Sequence, residues 1–232
     1  MKRLGAAAIG AFIIGAASMG QAATVDFSDF VEGDQLGANT DLGNGIFANV
    51  SSLGGVNQAV IFDTARGTTS TANDPDLTAN FRNAEDASDV RDFGNVVIVQ
   101  ENLRGGPDDT GAGGTLTIDF NDDILLESLY LVDAKIGTTA ELFLGGNVVQ
   151  SFVLGATNAS DTGNNPNNNL FTFLDFGNSL GDSLIVTLSA SGGIGELELS
   201  VAPTPVPVPA SLPLLAGGLG LMSLMRRRRK AA

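Results

Sequence analysis

The sequence predicts an all-β protein, an antiparallel β-sandwich with the jelly-roll as its favoured type, flanked by a signal helix and a C-terminal apolar helix. Short segments rich in β-branched and aromatic residues recur between clusters of Gly, Asn, Asp and Ser, which is the pattern of strands and turns. Between the two ends, no stretch keeps a helical period. Many short strands around one core favour a sandwich.

Eleven segments are predicted strands, and several of them alternate apolar and polar residues with period two. They are residues 24–27, 45–50, 59–62, 96–100, 115–120, 125–132, 140–144, 148–154, 170–173, 184–189 and 196–201. Gly145 and Gly146 separate two of these segments and tolerate the positive φ of a two-residue turn. The sequence therefore predicts a hairpin at this pair.

The N-terminus has the order of a secretory signal peptide, which we assign to residues 1–23. Lys2 and Arg3 precede an apolar run over residues 4–19, and small residues follow it. Cleavage is expected after Ala22 or Ala23. A buried amphipathic helix is the competing interpretation, but the run has no polar face.

Residues 24–200 are enough for one domain with a sizeable core. All 26 acidic residues lie here against five basic ones, so the domain has a net charge of −21. This field repels nucleic acid and suits an extracellular surface. It also leaves many carboxylates free to bind divalent cations.

Three residue types that carry much of protein chemistry are absent: the chain has no Cys, no His and no Trp, and one Tyr. Disulfides and cysteine nucleophiles are therefore excluded, and a Ser or Thr nucleophile would have no His partner. A pair of carboxylates could in principle hydrolyse glycosides, but the aromatic platforms of a sugar subsite are scarce. We predict that the protein is not an enzyme.

Two connections stand out by length or composition. The polar stretch 64–92 exceeds an ordinary loop, and we expect it to cover one face of the sandwich. Residues 158–169 are rich in Asn and are expected to form a solvated loop.

Four carboxylates form a candidate calcium site. Asp74 and Asp76 flank a proline in the long connection, and Asp63 and Glu101 follow predicted strands that could converge on it. Calcium binds six to eight oxygens from such groups. The alternative is that these acidic side chains are simply solvated.

The C-terminal region has three parts in a fixed order. Residues 201–211 form a linker with a proline at every second position from 203 to 209, residues 212–225 are apolar, and a basic cluster ends the chain. As a helix, the apolar part would rise about 21 Å, short of the hydrocarbon core of about 30 Å. Its basic end is predicted to stay in the cytoplasm and the acidic domain outside.

This order resembles the PEP-CTERM class of sorting signals, in its VPLPA-like variant. The sorting motif comprises Val206, Pro207, Val208, Pro209 and Ala210, and the basic stop comprises Arg226, Arg227, Arg228, Arg229 and Lys230. Val208 stands where Leu is common in the class. The resemblance implies an exosortase-type membrane enzyme that cuts the tail and sorts the protein to the envelope or exopolysaccharide matrix of a Gram-negative bacterium.

The domain itself resembles secreted jelly-roll domains, some of them carbohydrate-binding-like, through segments around Asp63, 74–77, 94–101 and 131–133. Such domains often carry an Asp near the position of Gly195, which here supplies no ligand.

Together these features predict an exported structural or adhesive protein that associates with exopolysaccharide and contacts the inner membrane transiently. A Ca²⁺-dependent carbohydrate-binding module is the alternative.

Overall fold

The computed structural model describes residues 22–65, 77, 80–103, 106–155 and 169–203. The predicted signal peptide lies outside these residues except for Ala22 and Ala23, and the predicted apolar helix at 212–225 lies outside them entirely. Within the described ranges, no helix has the length and apolar character needed to cross a membrane.

The described chain is all-β, as predicted, with thirteen strands. They are β1 (Ala23–Val25), β2 (Gln35–Leu36), β3 (Thr40–Asp41), β4 (Phe47–Leu53), β5 (Ala59–Asp63), β6 (Phe81–Asn83), β7 (Val90–Arg91), β8 (Asn95–Val99), β9 (Gly114–Val132), β10 (Thr139–Leu144), β11 (Asn147–Val153), β12 (Leu170–Leu188) and β13 (Gly193–Val201). Each of the eleven predicted segments overlaps one of them.

The two longest strands, β9 and β12, run side by side through both layers of the sandwich. The first half of β9 pairs with β4 and with the second half of β12, which also pairs with β10 of the β10–β11 hairpin. We call this layer, with β3 at its margin, the first sheet. The second half of β9 pairs with β13, and the order continues through β8 and β5 to β2. This layer, with β1 on β13, is the second sheet.

The passage of β12 from one layer to the other coincides with breaks in its pairing with β9, between Asp175 and Ser179 and between Gly181 and Ser183. Irregular pairing of this kind bends a strand. Gly181 lies at the bend against β10, where an added Cβ would sit 2.5 Å from Leu142 Cδ1. The close approach of the two strands therefore requires glycine.

Two clusters of apolar side chains hold the fold together. The larger lies between the sheets and includes Leu116 and Leu184 from the first sheet with Val97 and Leu197 from the second. The smaller lies on the outer face of the second sheet, where the chain between β5 and β8 brings in side chains to cover it. Its members are Val60, Phe62, Leu77, Phe81, Phe93, Val96, Ile98, Tyr130, Val132 and Phe171.

This second cluster confirms the expectation that the connection 64–92 covers a sandwich face, because Leu77 and Phe81 come from it and are fully buried. The predicted hairpin is also confirmed, with φ values of 57° and 78° at Gly145 and Gly146. Most of the Asn-rich loop 158–169 lies outside the described residues. The jelly-roll type stays a prediction.

Candidate functional site

The structure separates two members of the predicted calcium site. Asp63 ends β5 opposite Asn95, the first residue of β8, whereas Glu101 lies beyond the other end of β8. Six residues of extended chain span about 20 Å, so one cation cannot bind both carboxylates. Asp63 accepts a hydrogen bond from Ala65 N (2.8 Å), and Glu101 accepts one from Asn102 Nδ2 (3.3 Å).

Asp74 and Asp76 lie outside the described residues, so a site that joins them to Asp63 stays a prediction. Among the residues with described positions, no group of three or more acidic side chains is arranged to hold a metal ion.

The absence of a side chain at Gly195 has a steric reason. Gly195 lies at the pairing irregularity between Ile194 and Glu196, beneath the ring of Phe93. A Cβ at this position would lie 2.9 Å from Phe93 Cδ1. The position therefore packs the second cluster and has no room for an Asp.

Two buried carboxylates that the sequence did not single out close one end of the second sheet. Asp133 follows β9, is 1% exposed and accepts a hydrogen bond from Ser191 Oγ (2.7 Å). Asp109 accepts one from Gly192 N. Because Ser191 and Gly192 lead into β13, the two carboxylates fix the start of that strand.

The outer face of the second sheet carries the candidate site, which we call the outer-face patch. It consists of Arg91, Tyr130, Phe173, Glu196 and Glu198. Strand register brings these residues together, since Tyr130 on β9 lies opposite both Phe173 on β12 and Glu196 on β13. In the next row along the strands, Ser128 lies between Asp175 and Glu198.

Phe173 and Tyr130 form the aromatic part of this patch, with ring centroids 5.2 Å apart. The Arg91 guanidinium lies over the Tyr130 ring, with Cζ 4.3 Å from the centroid, a cation–π arrangement. Tyr130 is only 4% exposed, whereas Phe173 is 44% exposed. The cover over the sheet therefore ends between these two rings, and Phe173 remains partly exposed to solvent.

Carboxylates surround the single guanidinium. Arg91 Nη1 lies 4.0 Å from Glu196 Oε1, and Arg91 Nε lies 3.8 Å from Asp89 Oδ1. Burial raises the pKa of Glu196; the positive charge of Arg91 opposes this, and the charges of Glu198 and Asp26 add to it. The patch is therefore negative overall.

Burial also raises the pKa of Tyr130, an effect that the charge of Arg91 opposes and that of Glu198 reinforces. Glu198 is held in place by Ser128 Oγ, which donates a hydrogen bond of 2.7 Å to its Oε2. The patch thus offers fixed carboxylate acceptors beside an exposed ring.

Arg91 reaches the sheet because the short β6–β7 hairpin places it there. Asp86 and Ser88 form the turn, and hydrogen bonds from Ser88 lower the pKa of Asp86. Phe81 and Phe93, on either side of the hairpin, pack against each other with centroids 5.7 Å apart. The second cluster therefore positions the cationic part of the patch.

This patch was not predicted from the sequence, in which aromatic platforms for a sugar are scarce and Tyr130 is the only tyrosine. A usable signal lies in β12, where Phe171 and Phe173 are two residues apart and so share a face. Which of the two is covered depends on the β6–β7 hairpin, whose strands of two and three residues are too short to recognise in the sequence.

Both ends of the domain meet at one place. Thr24 and Val25 on β1, which follow the predicted signal peptide, pair with Glu198 and Leu197 of β13. An open cavity of about 620 Å³ lies beside them, lined among others by Ala22, Asn44 and Val201. The chain therefore enters and leaves the sandwich at the same end.

No family model matches this chain, and no curated protein matches it. Among solved structures, part of the chain is similar to a Streptococcus pneumoniae fucose binding module, with 18% identity over 39% of this chain and 63% of that chain and a TM-score of 0.26. The chain thus spans less than two thirds of that module. A second Streptococcus pneumoniae fucose binding module, SpX-3, matches with 17% identity over 40% of this chain and 66% of that chain, also at a TM-score of 0.26. These TM-scores are too low to assign a fold or a ligand.

Proposed function

We propose that this chain is an exported protein of the bacterial envelope or extracellular matrix, sorted by a C-terminal exosortase-type signal and associated with exopolysaccharide. One observation carries the proposal: β1 pairs with the last strand, so both chain ends leave the sandwich together. A domain built this way can be held from one end.

The charge of the domain supports the same conclusion. At −21 it is repelled by nucleic acid and by anionic lipid head groups, so it fits a solvated role outside the cytoplasm.

The two ends of the chain define the proposed route of export and sorting. In this proposal the signal peptide starts export, the apolar segment 212–225 holds the protein in the inner membrane transiently, and an exosortase-type enzyme cuts at the motif 206–210. The basic stop keeps the end of the chain in the cytoplasm until cleavage.

A double substitution in the motif tests this route. Pro207→Ala with Pro209→Ala should leave export intact but block processing, because the signal peptide is unchanged. The uncut protein should then fractionate with the inner membrane. Pro203→Ala with Pro205→Ala removes the same number of prolines outside the motif and is the matched control.

Intact-mass analysis of the exported protein gives the result. A wild-type species that ends before the basic stop, together with a motif variant that still ends at Ala232, is expected. A wild-type species that retains Ala232 would refute cleavage and leave a plain, short membrane anchor.

A Ca²⁺-dependent carbohydrate-binding module is the second candidate, favoured by the exposed ring of Phe173 beside fixed carboxylates. Its calcium site would rest on Asp63 with Asp74 and Asp76.

A further inference from the structure

We propose that the outer-face patch binds a neutral polysaccharide, with Phe173 as the stacking surface and Glu198, Glu196 and Arg91 as hydrogen-bonding groups. This inference rests on the proposed association with exopolysaccharide and names both the surface and the chemical class of the ligand.

The exposure of Phe173 is the first step of the argument. Its neighbour on the same face, Phe171, is fully buried beneath Phe93, with ring centroids 5.5 Å apart. The side chains that cover this face extend over Phe171 but not over Phe173. Tyr130, on the neighbouring strand, packs against the Phe173 ring. A partly exposed aromatic ring that packs against a buried one can stack on the apolar C–H face of a sugar ring.

The polar row beside the ring is the second step. Ser128, Glu198 and Thr24 lie one row further along β9, β13 and β1. Glu198 lies two strand spacings from Phe173 across the sheet, about 9.6 Å, and one row along it, about 6.6 Å. Its carboxylate is therefore within reach of the adjoining sugars of a polysaccharide, not of the sugar stacked on Phe173 itself. The hydrogen bond from Ser128 Oγ already orients that carboxylate, so it can accept further hydrogen bonds without being reoriented.

Charge selects the class of polysaccharide. The patch has one guanidinium, Arg91, among Glu196, Glu198 and Asp89, within a domain of net charge −21. A polymer of uronic acids or sulfated sugars would be repelled, whereas a neutral polymer offers hydroxyl donors to the carboxylates. The same repulsion disfavours a second copy of this chain, because face-to-face pairing would bring two rows of carboxylates together.

Affinity electrophoresis of the full-length protein tests the proposal. The gels contain dextran, galactomannan, the purified exopolysaccharide of the producing bacterium, or alginate as a polyuronate. The wild-type protein should be retarded by at least one neutral polymer and not by alginate. Phe173→Ala should weaken that retardation at least about tenfold, as expected when an aromatic anchor is truncated.

Two variants serve as controls. Phe47→Ala removes a phenylalanine of similar exposure (39%) from β4 in the first sheet and should bind as the wild type does. Phe173→Tyr keeps an aromatic ring and should retain binding. Thermal unfolding checks that Phe173→Ala and Phe47→Ala remain folded.

The outcomes separate the two proposals. If the wild type is retarded and Phe173→Ala is retarded equally, the patch is the wrong surface while the association with polysaccharide stands. If no polymer retards the wild type, the exopolysaccharide association fails and the ligand assignment fails with it. Stronger retardation by alginate would overturn the charge argument. A change in oligomeric state of Phe173→Ala, measured by sedimentation, with unaltered retardation would assign the ring to a protein contact.

Discussion

Phe93 is the residue on which the second cluster and the outer-face patch both depend. Its ring is buried and contacts three others, with centroids 5.7 Å from Phe81, 5.9 Å from Tyr130 and 5.5 Å from Phe171. It also fills the space above Gly195. Substitution by Ala would remove all of these contacts at once.

The loss of stability expected for Phe93→Ala follows from the buried environment of the ring. Truncation of a buried Phe to Ala costs about 3–5 kcal/mol, because a cavity remains where the ring was. For a domain of this length each kcal/mol lowers the melting temperature by about 2–4 °C, so Phe93→Ala should lower it by roughly 6–20 °C. Phe93→Leu fills part of the cavity and should lose less.

The pKa of Tyr130 reports on the cover of the second sheet. It can be measured selectively, because Tyr130 is the only tyrosine in a chain that has no Trp. Burial raises its pKa above the ordinary tyrosine value of 10.0. Phe93→Ala lets water reach the ring, so the pKa of Tyr130 should fall toward that value in an alkaline titration followed by tyrosinate absorbance. Phe47→Ala, in the other sheet, should leave this titration unchanged.

The result that refutes this reasoning is specific. If Phe93→Ala costs less than about 1 kcal/mol and leaves the Tyr130 titration as in the wild type, then Phe93 does not hold the cover on the second sheet.

Three further substitutions or conditions test other parts of the structure. Gly181→Ala should cost about 1–3 kcal/mol by overpacking against Leu142, since the Phe143 carbonyl oxygen at 2.9 Å leaves no space; an unchanged denaturant midpoint would contradict this. Glu196→Gln should raise the melting temperature near neutral pH, because a raised folded-state pKa means that the folded protein disfavours the ionised carboxyl; the gain should vanish well below pH 4.5, and a loss at neutral pH would refute it. Millimolar Ca²⁺ should raise the melting temperature if Asp63 binds it, because at about a hundred times the dissociation constant the folded state gains about 2.7 kcal/mol; identical melting curves in Ca²⁺ and EDTA would remove the site.

The strands could be predicted from local pattern, but their continuity could not. Residues 115–120 and 125–132 were predicted as two strands and form one, β9, because the polar residues 121–123 stay extended while the strand bends between layers. The same holds for β12. Whether a polar interruption is a turn or a bend depends on pairing with distant strands, which no local window contains.

The candidate site was harder to predict than the fold. Arg91, Tyr130 and Glu196 are distant in sequence and meet only through the register of β9 with β13 and the docking of the β6–β7 hairpin. The predicted carboxylates Asp63 and Glu101 seemed able to converge because each follows a strand. Antiparallel pairing of β5 with β8 places them at opposite ends.

The pairing of β1 with β13 also bears on when the domain can fold. The first strand of the domain finds its partner in the last one, so this contact closes a loop of nearly the whole domain and belongs to the slowest class of contacts to form. If the chain crosses a membrane starting from its N-terminus, β1 would remain unpaired until β13 has also crossed the membrane. Completion of the sandwich would then coincide with the end of translocation, because only the linker and the predicted sorting tail follow β13 in the sequence.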